Sequence, residues 1–253
     1  MQLTADDYQI AALFGLILLF SICESFWPAR KINRFKDIKL DVLSFAFALA
    51  VNRLLSAGYV ATVGDHTPAF LHSTVQWLAG WHTAVRLIVA IILVDFVIYW
   101  IHRAQHRYRL MWRTHAWHHS IEEMYWFAGF RTSFFHSLLN NIPQVVVPVT
   151  IFQLTPLEAG IGYSFGIFIQ FVEHTNWKLS FGPLNWLLVT PDYHRIHHAA
   201  KLHHGKNLAG TFRIWDKMFG TYVDPEKVPL DFELGLGKPV QDPRQVARMM
   251  AGV

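Results

Sequence analysis

Cysteine is nearly absent: Cys23 stands alone in 253 residues. One thiol excludes a disulfide framework and any cysteine-rich zinc module, and it leaves the redox compartment open. Charge is also scarce. Asp, Glu, Lys and Arg together make up 16% of the chain, against about 25% in an ordinary soluble domain. With hydrophobic residues at 53%, a disordered chain is excluded and an ordinary soluble enzyme is disfavoured. The net charge of +4 is not gathered into one basic run, so nucleic acid is not an expected partner. Neither a G-x-G-x-x-G fingerprint nor a G-x-x-x-x-G-K-[ST] loop occurs, and Gly235-Leu-Gly237-Lys238 meets neither spacing. Internal repeats and low-complexity segments are missing as well.

What the chain has instead is apolar length. Tyr8 to Cys23 carries no charge, Val42 to Val63 only Arg53, and Leu87 to Ile101 only Asp95. Leu138 to Leu157 and Ala159 to Val172 carry none. A bilayer-spanning helix needs about 20 mainly apolar residues, so several stretches are short. The last two read as a hairpin broken at Thr155-Pro156. The first is a poor signal peptide, because Asp6 and Asp7 precede it and Glu24-Ser25-Phe26-Trp27 follows. The pattern predicts an all-α integral membrane bundle of about four to five hydrophobic helices, with a more polar cytosolic cap from about Lys178. With the N-terminus outside, the outer segments 1–9, 64–86 and the tip near 158 hold one basic residue, Arg86. Arg53 lies within a stretch, and the other 20 of the 22 basic residues fall on the inner side. That asymmetry sets the orientation and an inner, cytoplasmic membrane location. Trp100, Trp112, Trp117, Trp177 and Trp186 fall near stretch ends, as in an interfacial belt, although core packing explains them equally well.

Fifteen histidines are the second abundance, and twelve fall on the inner side. They form His102-x-x-x-His106, His115-x-x-His118-His119 and His194-x-x-His197-His198. Residues at i, i+3 and i+4 share one helix face, so each cluster can aim its imidazoles at one point. Neutral imidazole ligates iron, zinc, copper and nickel. Eight imidazoles exceed what one ion accepts and suit two. At this histidine frequency one H-x-x-H-H pattern is expected about 0.05 times per chain, and the chain has two. His174, at the inner end of the last stretch, is expected to be a further ligand. Gln170 lies one turn earlier on the same face. His136 precedes the fourth stretch and is either a support to the ligands or an interfacial residue. Asp95 sits two turns before His102 and is expected to accept the second ring N–H of a ligating histidine. His203 and His204 read as loop residues. His66, His72 and His82 fall on the far side.

Taken together, these segments resemble the fatty acid hydroxylase superfamily, also called the sterol desaturase family. The resemblance rests on Asp95-Phe-Val-Ile-Tyr-Trp-Ile-His102-Arg-Ala-Gln-His106, His115-Ala-Trp-His118-His119-Ser120, Gln170-Phe-Val-Glu-His174-Thr and Thr190-Pro-Asp-Tyr-His194-Arg-Ile-His197-His198. The closing stretch from Gly210 through Trp215 and Asp216 to Thr221 adds to it. It covers about residues 85–224. It divides the chain into membrane helices over 1–85, a catalytic unit over 86–224 and a cytosolic tail over 225–253. Two departures stand out: Asn207-Leu-Ala-Gly210 follows the last cluster, and Ser137 follows His136 where several sterol-acting members have proline.

The resemblance implies an all-histidine di-iron centre, with zinc possible in purified protein. It also implies an O2-dependent monooxygenase that hydroxylates or desaturates the hydrocarbon part of a lipid, such as a fatty acyl chain, sterol or alkylglycerol. Soluble di-iron bundles use Glu-x-x-His pairs, and none occurs here. Electrons are expected from a separate reductase, ferredoxin-like carrier or pterin, and the oligomeric state is open. Two rivals remain. One is a zinc-dependent membrane hydrolase using Glu122, Glu123 or Glu173 as acid/base. The other is a non-catalytic metal-binding membrane protein. Oxygen dependence separates the first reading from both.

Overall fold

A computed structural model describes residues 5–62, 68–201, 204–229 and 231–253. His66 and His203 lie outside the described residues. The described chain is all-helical. It has no β-strand, only isolated bridges at Pro28–Trp177, Leu188–Phe212 and Ala199–Leu234.

Each apolar stretch becomes helix. The first two form α1 (Ala5–Phe26) and α2 (Ile38–Thr62). A short α3 (His72–Ala79) leads to α4 (Thr83–Arg107), whose first turn is capped by the His82 side chain accepting from the Ala84 N–H at 3.2 Å. After Tyr108 the chain turns into α5 (Arg109–His115). The fourth stretch is not one continuous helix. α6 (Phe134–Val145) contains Pro143, which donates no N–H to the Leu139 carbonyl, and Val146–Ile151 follows as a π-helical turn. α7 (Pro156–His174) starts at the expected break. Thr155 accepts from the Glu158 N–H, Glu158 accepts from the Thr155 N–H, and Pro156 opens the helix. α8 (Pro191–His197), α9 (Ile214–Phe219) and α10 (Pro243–Ala251) complete the chain.

Of the four to five spans expected, one described helix is long and apolar enough to cross a bilayer. This is α4, with mean hydropathy 2.4 over its best 18-residue window, of which 17% is buried. Its apolar surface therefore faces outward, through Val85, Ile88, Ile92 and Trp100. Leu18, Leu19 and Ile22 on α1, Leu43, Leu49 and Leu54 on α2, and Leu157 and Ile161 on α7 are exposed too.

α4 packs on α5, α6 and α7, α2 packs on α6, and α7 packs on α8. Small apolar clusters wrap the inner end of this framework. Tyr99, Val189, Tyr193, Leu208 and Ala209 form one. Ile121, Met124, Tyr125, Ala128 and Leu234 form another. A third joins Trp117 to Val240, Val246 and Met250. Trp117 is thus fully buried and not at an interface, whereas Trp100 and Trp186 are exposed. The segment expected to be a tail supplies the side chains that cover Trp117.

Candidate metal centre

Nine histidines from four α-helices, one 3₁₀ turn and the C-cap of α8 meet at this end. Their ligating nitrogens fall into two groups, each within 4.8 Å: His102, His106, His115, His119 and His197, and His118, His174, His194 and His198. His118 and His119 are consecutive and divide between the groups. They sit on a single turn of 3₁₀ helix after α5, so their side chains diverge.

Hydrogen bonds fix which nitrogen faces inward. The Nδ1–H of His102 donates to the Leu208 carbonyl at 2.6 Å, and that of His118 to the Arg131 carbonyl at 3.0 Å. His174 donates to the Gln170 carbonyl at 2.7 Å, and His197 to the Lys206 carbonyl at 3.0 Å. A carbonyl can only accept, so each of these Nε2 atoms carries a bare lone pair. Two of those lone pairs, on His174 and His118, face each other, and the Nε2 atoms of His194 and His198 converge on them. His174 and His118 Nε2 are 3.1 Å apart, as are His194 and His174, His198 and His118, and His198 and His194. In the other group His102 and His115 Nε2 are 2.8 Å apart. His119 and His197 Nε2, which belong to the same group, are 3.0 Å apart. Both ring nitrogens of His106 are buried without a partner.

The bare lone pairs of His118 and His174, 3.1 Å apart, repel unless a cation lies between them. Imidazole nitrogens about 2.1 Å from one ion stand about 3 Å apart, so the donor set fits two transition-metal ions. Burial holds His115, His118, His119, His194, His197 and His198 well below the usual histidine range, in the neutral form that ligates.

The expected supports are placed as follows. Asp95 does not bond an imidazole. Its Oδ2 accepts from the Phe212 N–H at 3.0 Å and from Trp215 Nε1 at 2.8 Å. It reaches His102 only through the loop whose Leu208 carbonyl receives that ring, because the ring turns its Nδ1 to the loop and leaves the carboxylate to the backbone. Gln170 acts through its backbone carbonyl and not its amide. The His136 ring stacks on His115 with centroids 4.6 Å apart and Nδ1 atoms 3.0 Å apart, so it is packed against the site. His204 is exposed, with its ring 5.3 Å from that of His106, and it belongs to neither group. His82 caps the opposite end of α4.

Several further residues shape the site, and Asp41, Glu24 and Gly129 among them carry no signature in the sequence. Buried Asp41 on α2 accepts from Arg131 Nε at 2.6 Å and from the Tyr125 hydroxyl at 2.8 Å, and the Arg131 carbonyl holds His118. Buried Glu24 on α1 accepts from the Asn176 and Trp126 N–H groups at 2.7 and 2.8 Å. Asp216 receives the Leu208 and Ala209 N–H groups at 2.8 and 2.7 Å, together with the Tyr193 hydroxyl. Gly129 lies against His174, and a Cβ there would come within 2.9 Å of the ring. Glu173 is buried 3.5 Å from His194 Nδ1, with its Oε2 unpartnered.

A cavity opens from the histidines between α4, α6 and α7. Apolar side chains such as Ile91, Val94, Ile98 and Phe171 line it, and His118, His136 and Glu173 line its histidine end. Glu122 pairs instead with Lys36 at 2.6 Å, and both Glu122 and Glu123 line a separate surface pocket.

The family model described as fatty acid hydroxylase matches residues 87–221, more than half of the chain, and the protein belongs to that family. The chain is 37% identical to alkylglycerol monooxygenase of Xenopus tropicalis over 156 residues, covering 60% of this chain and 34% of the relative. It is 36% identical to alkylglycerol monooxygenase of Homo sapiens over 137 residues, covering 53% and 30%. It is 28% identical to ornithine lipid hydroxylase OlsE of Rhizobium tropici over 235 residues, covering 90% and 67%. It thus spans about a third of the alkylglycerol monooxygenases it matches. No solved structure matches the chain.

Proposed function

We propose that the protein is an O2-dependent, two-iron monooxygenase that hydroxylates the hydrocarbon part of a lipid. The observation that carries this reading is two groups of converging imidazole nitrogens at one end of a cavity with apolar walls. His102, His106, His115, His119 and His197 would hold one ion, and His118, His174, His194 and His198 the other. Two irons so held supply O2 activation and an oxidant strong enough for an unactivated C–H bond. The chain's own residues do the rest. The Leu208, Arg131, Gln170 and Lys206 carbonyls hold four rings in one tautomer and orientation. The Ile91, Val94, Ile98 and Phe171 walls hold a hydrocarbon segment against that end and exclude water from it. Residues 1–253 hold no nucleotide fingerprint, and a reductase or electron carrier would supply the electrons. The activities in the relatives' names, alkylglycerol monooxygenase and ornithine lipid hydroxylase, support a lipid substrate.

The outward apolar surface of α4, continued on α1, α2 and α7, supports a multi-pass membrane protein with its metal end on the cytoplasmic side. Residues 86–224 form the catalytic unit. Residues 1–85 embed and brace it, and 225–253 cover it from the cytosol.

A zinc hydrolase is the second reading, since Glu173 is the one carboxylate of the three considered that lines the cavity near the imidazoles. The test compares lipid extracts from aerobic and anaerobic cells carrying wild type or the His118→Ala variant. The oxygenase reading expects a lipid that gains one oxygen atom only with wild type and air. Lipid turnover that persists without O2 contradicts it.

A further inference from the structure

The cavity wall on α6 is unexpectedly polar. Asn140, Asn141 and Gln144 all line it, facing the apolar walls of α4 and α7. The orientation of each amide is settled by its own helix. Asn140 Nδ2 donates to the His136 carbonyl at 2.8 Å, Asn141 Nδ2 to the Ser137 carbonyl at 2.8 Å, and Gln144 Nε2 to the Asn140 carbonyl at 3.0 Å. A carbonyl accepts only, so the nitrogen must face it and the amide oxygen must face away. No donor among the described residues reaches those three oxygens. A row of free acceptors therefore stands opposite the mainly apolar side chains of α4 and α7.

Helix repair does not explain the row. Pro143 deprives the Leu139 carbonyl of its partner, yet none of the three amides bonds Leu139. Side chains that bond back to i−4 slightly destabilise a helix, and polar groups at membrane depth usually mark a function. Counting from His136, which abuts the metal end, the three residues lie about 6, 7.5 and 12 Å along the helix axis at about 1.5 Å per residue.

We propose that Asn140, Asn141 and Gln144 determine specificity by selecting a lipid with a hydrogen-bond donor, a hydroxyl or amide N–H, about one to two helical turns from the carbon presented to the metals. This rests on reading the cavity as the lipid chamber. A lipid without a donor at that position covers these half-buried acceptors and leaves them unpaired, which disfavours it.

The test measures binding of hexadecanol, N-hexadecylacetamide and hexadecyl methyl ether to detergent-purified full-length protein, without O2 or reductant. Iron content is assayed in parallel. Wild type is expected to prefer the alcohol or the amide over the methyl ether by about tenfold, a difference of about 1.4 kcal/mol. Asn140→Leu and Gln144→Leu each reduce that preference by about threefold, and the variant combining both with Asn141→Leu brings it below about twofold, with iron unchanged. Equal binding of alcohol and ether by wild type overturns the proposal. So does undiminished preference in the single variants. Selective binding here, together with no oxygen gained by any lipid when O2 and a reductant are supplied in a separate assay, would instead contradict the oxygenase reading and leave the acceptor row standing.

Discussion

Four of the nine imidazoles, those of His102, His118, His174 and His197, do two jobs, since Nδ1 is spent on a backbone carbonyl so that Nε2 stays bare. Because His118 and His197 belong to different groups, losing either should empty one position and spare the other. His118→Ala and His197→Ala are each expected to lower bound iron from about two to about one per chain, abolish oxygenation and leave membrane insertion intact. Full activity in either variant would refute the grouping. Gly129→Ala adds a methyl 2.9 Å from the His174 ring and should displace it. The expected outcome is at least a tenfold loss of metal affinity at that group, read by chelator competition; unchanged affinity would show that the ring accommodates the methyl. Much of this site could be read from the sequence because helical spacing is local: His194, His197 and His198 advertise a shared face. Gly129 could not be read, since its constraint is contact with a residue 45 positions away. Asp95 was visible as an anomaly in an apolar run, but its partners on the 212–215 turn were not.

Helices far from the metal end in sequence brace it through buried polar links. α2 reaches His118 by way of Asp41 and Arg131, with Asp37 on the same guanidinium at 3.2 Å. Asp41→Ala removes the buried partner of a buried guanidinium and is expected to destabilise the fold by about 3 kcal/mol. A lowered melting midpoint together with lost iron checks this, and an unchanged midpoint would detach α2 from the site. α10 acts by packing. Removing residues 240–253 bares Trp117, which lies between His115 and His118, so the truncated chain should insert but bind iron poorly. Iron content equal to the full chain would restore the reading of this segment as a tail. The apolar stretches foretold α1, α2, α4 and α7 within a few residues. The fourth stretch misled because hydropathy is blind to backbone donors, and Pro143 with the π-helical turn divides it.

The whole molecule has an apolar outside and a histidine-rich inner end. Exposed Leu, Ile and Val on α1, α2, α4 and α7 have no cover of their own, and a bilayer would supply it. The chain is therefore expected to stay with membranes through alkaline carbonate extraction, and release into the supernatant would argue against embedding. In the proposed orientation, with the histidine end at the inner surface, a lipid chain would approach from the bilayer and an electron carrier would dock from the cytosol. All of this depends on two ions lying among the nine imidazoles. The most direct measurement is metal content of detergent-purified protein from iron-replete cells. The account predicts about two irons per chain, held by the two groups. A chain that carries zinc, or no metal at all, under the same conditions would contradict it.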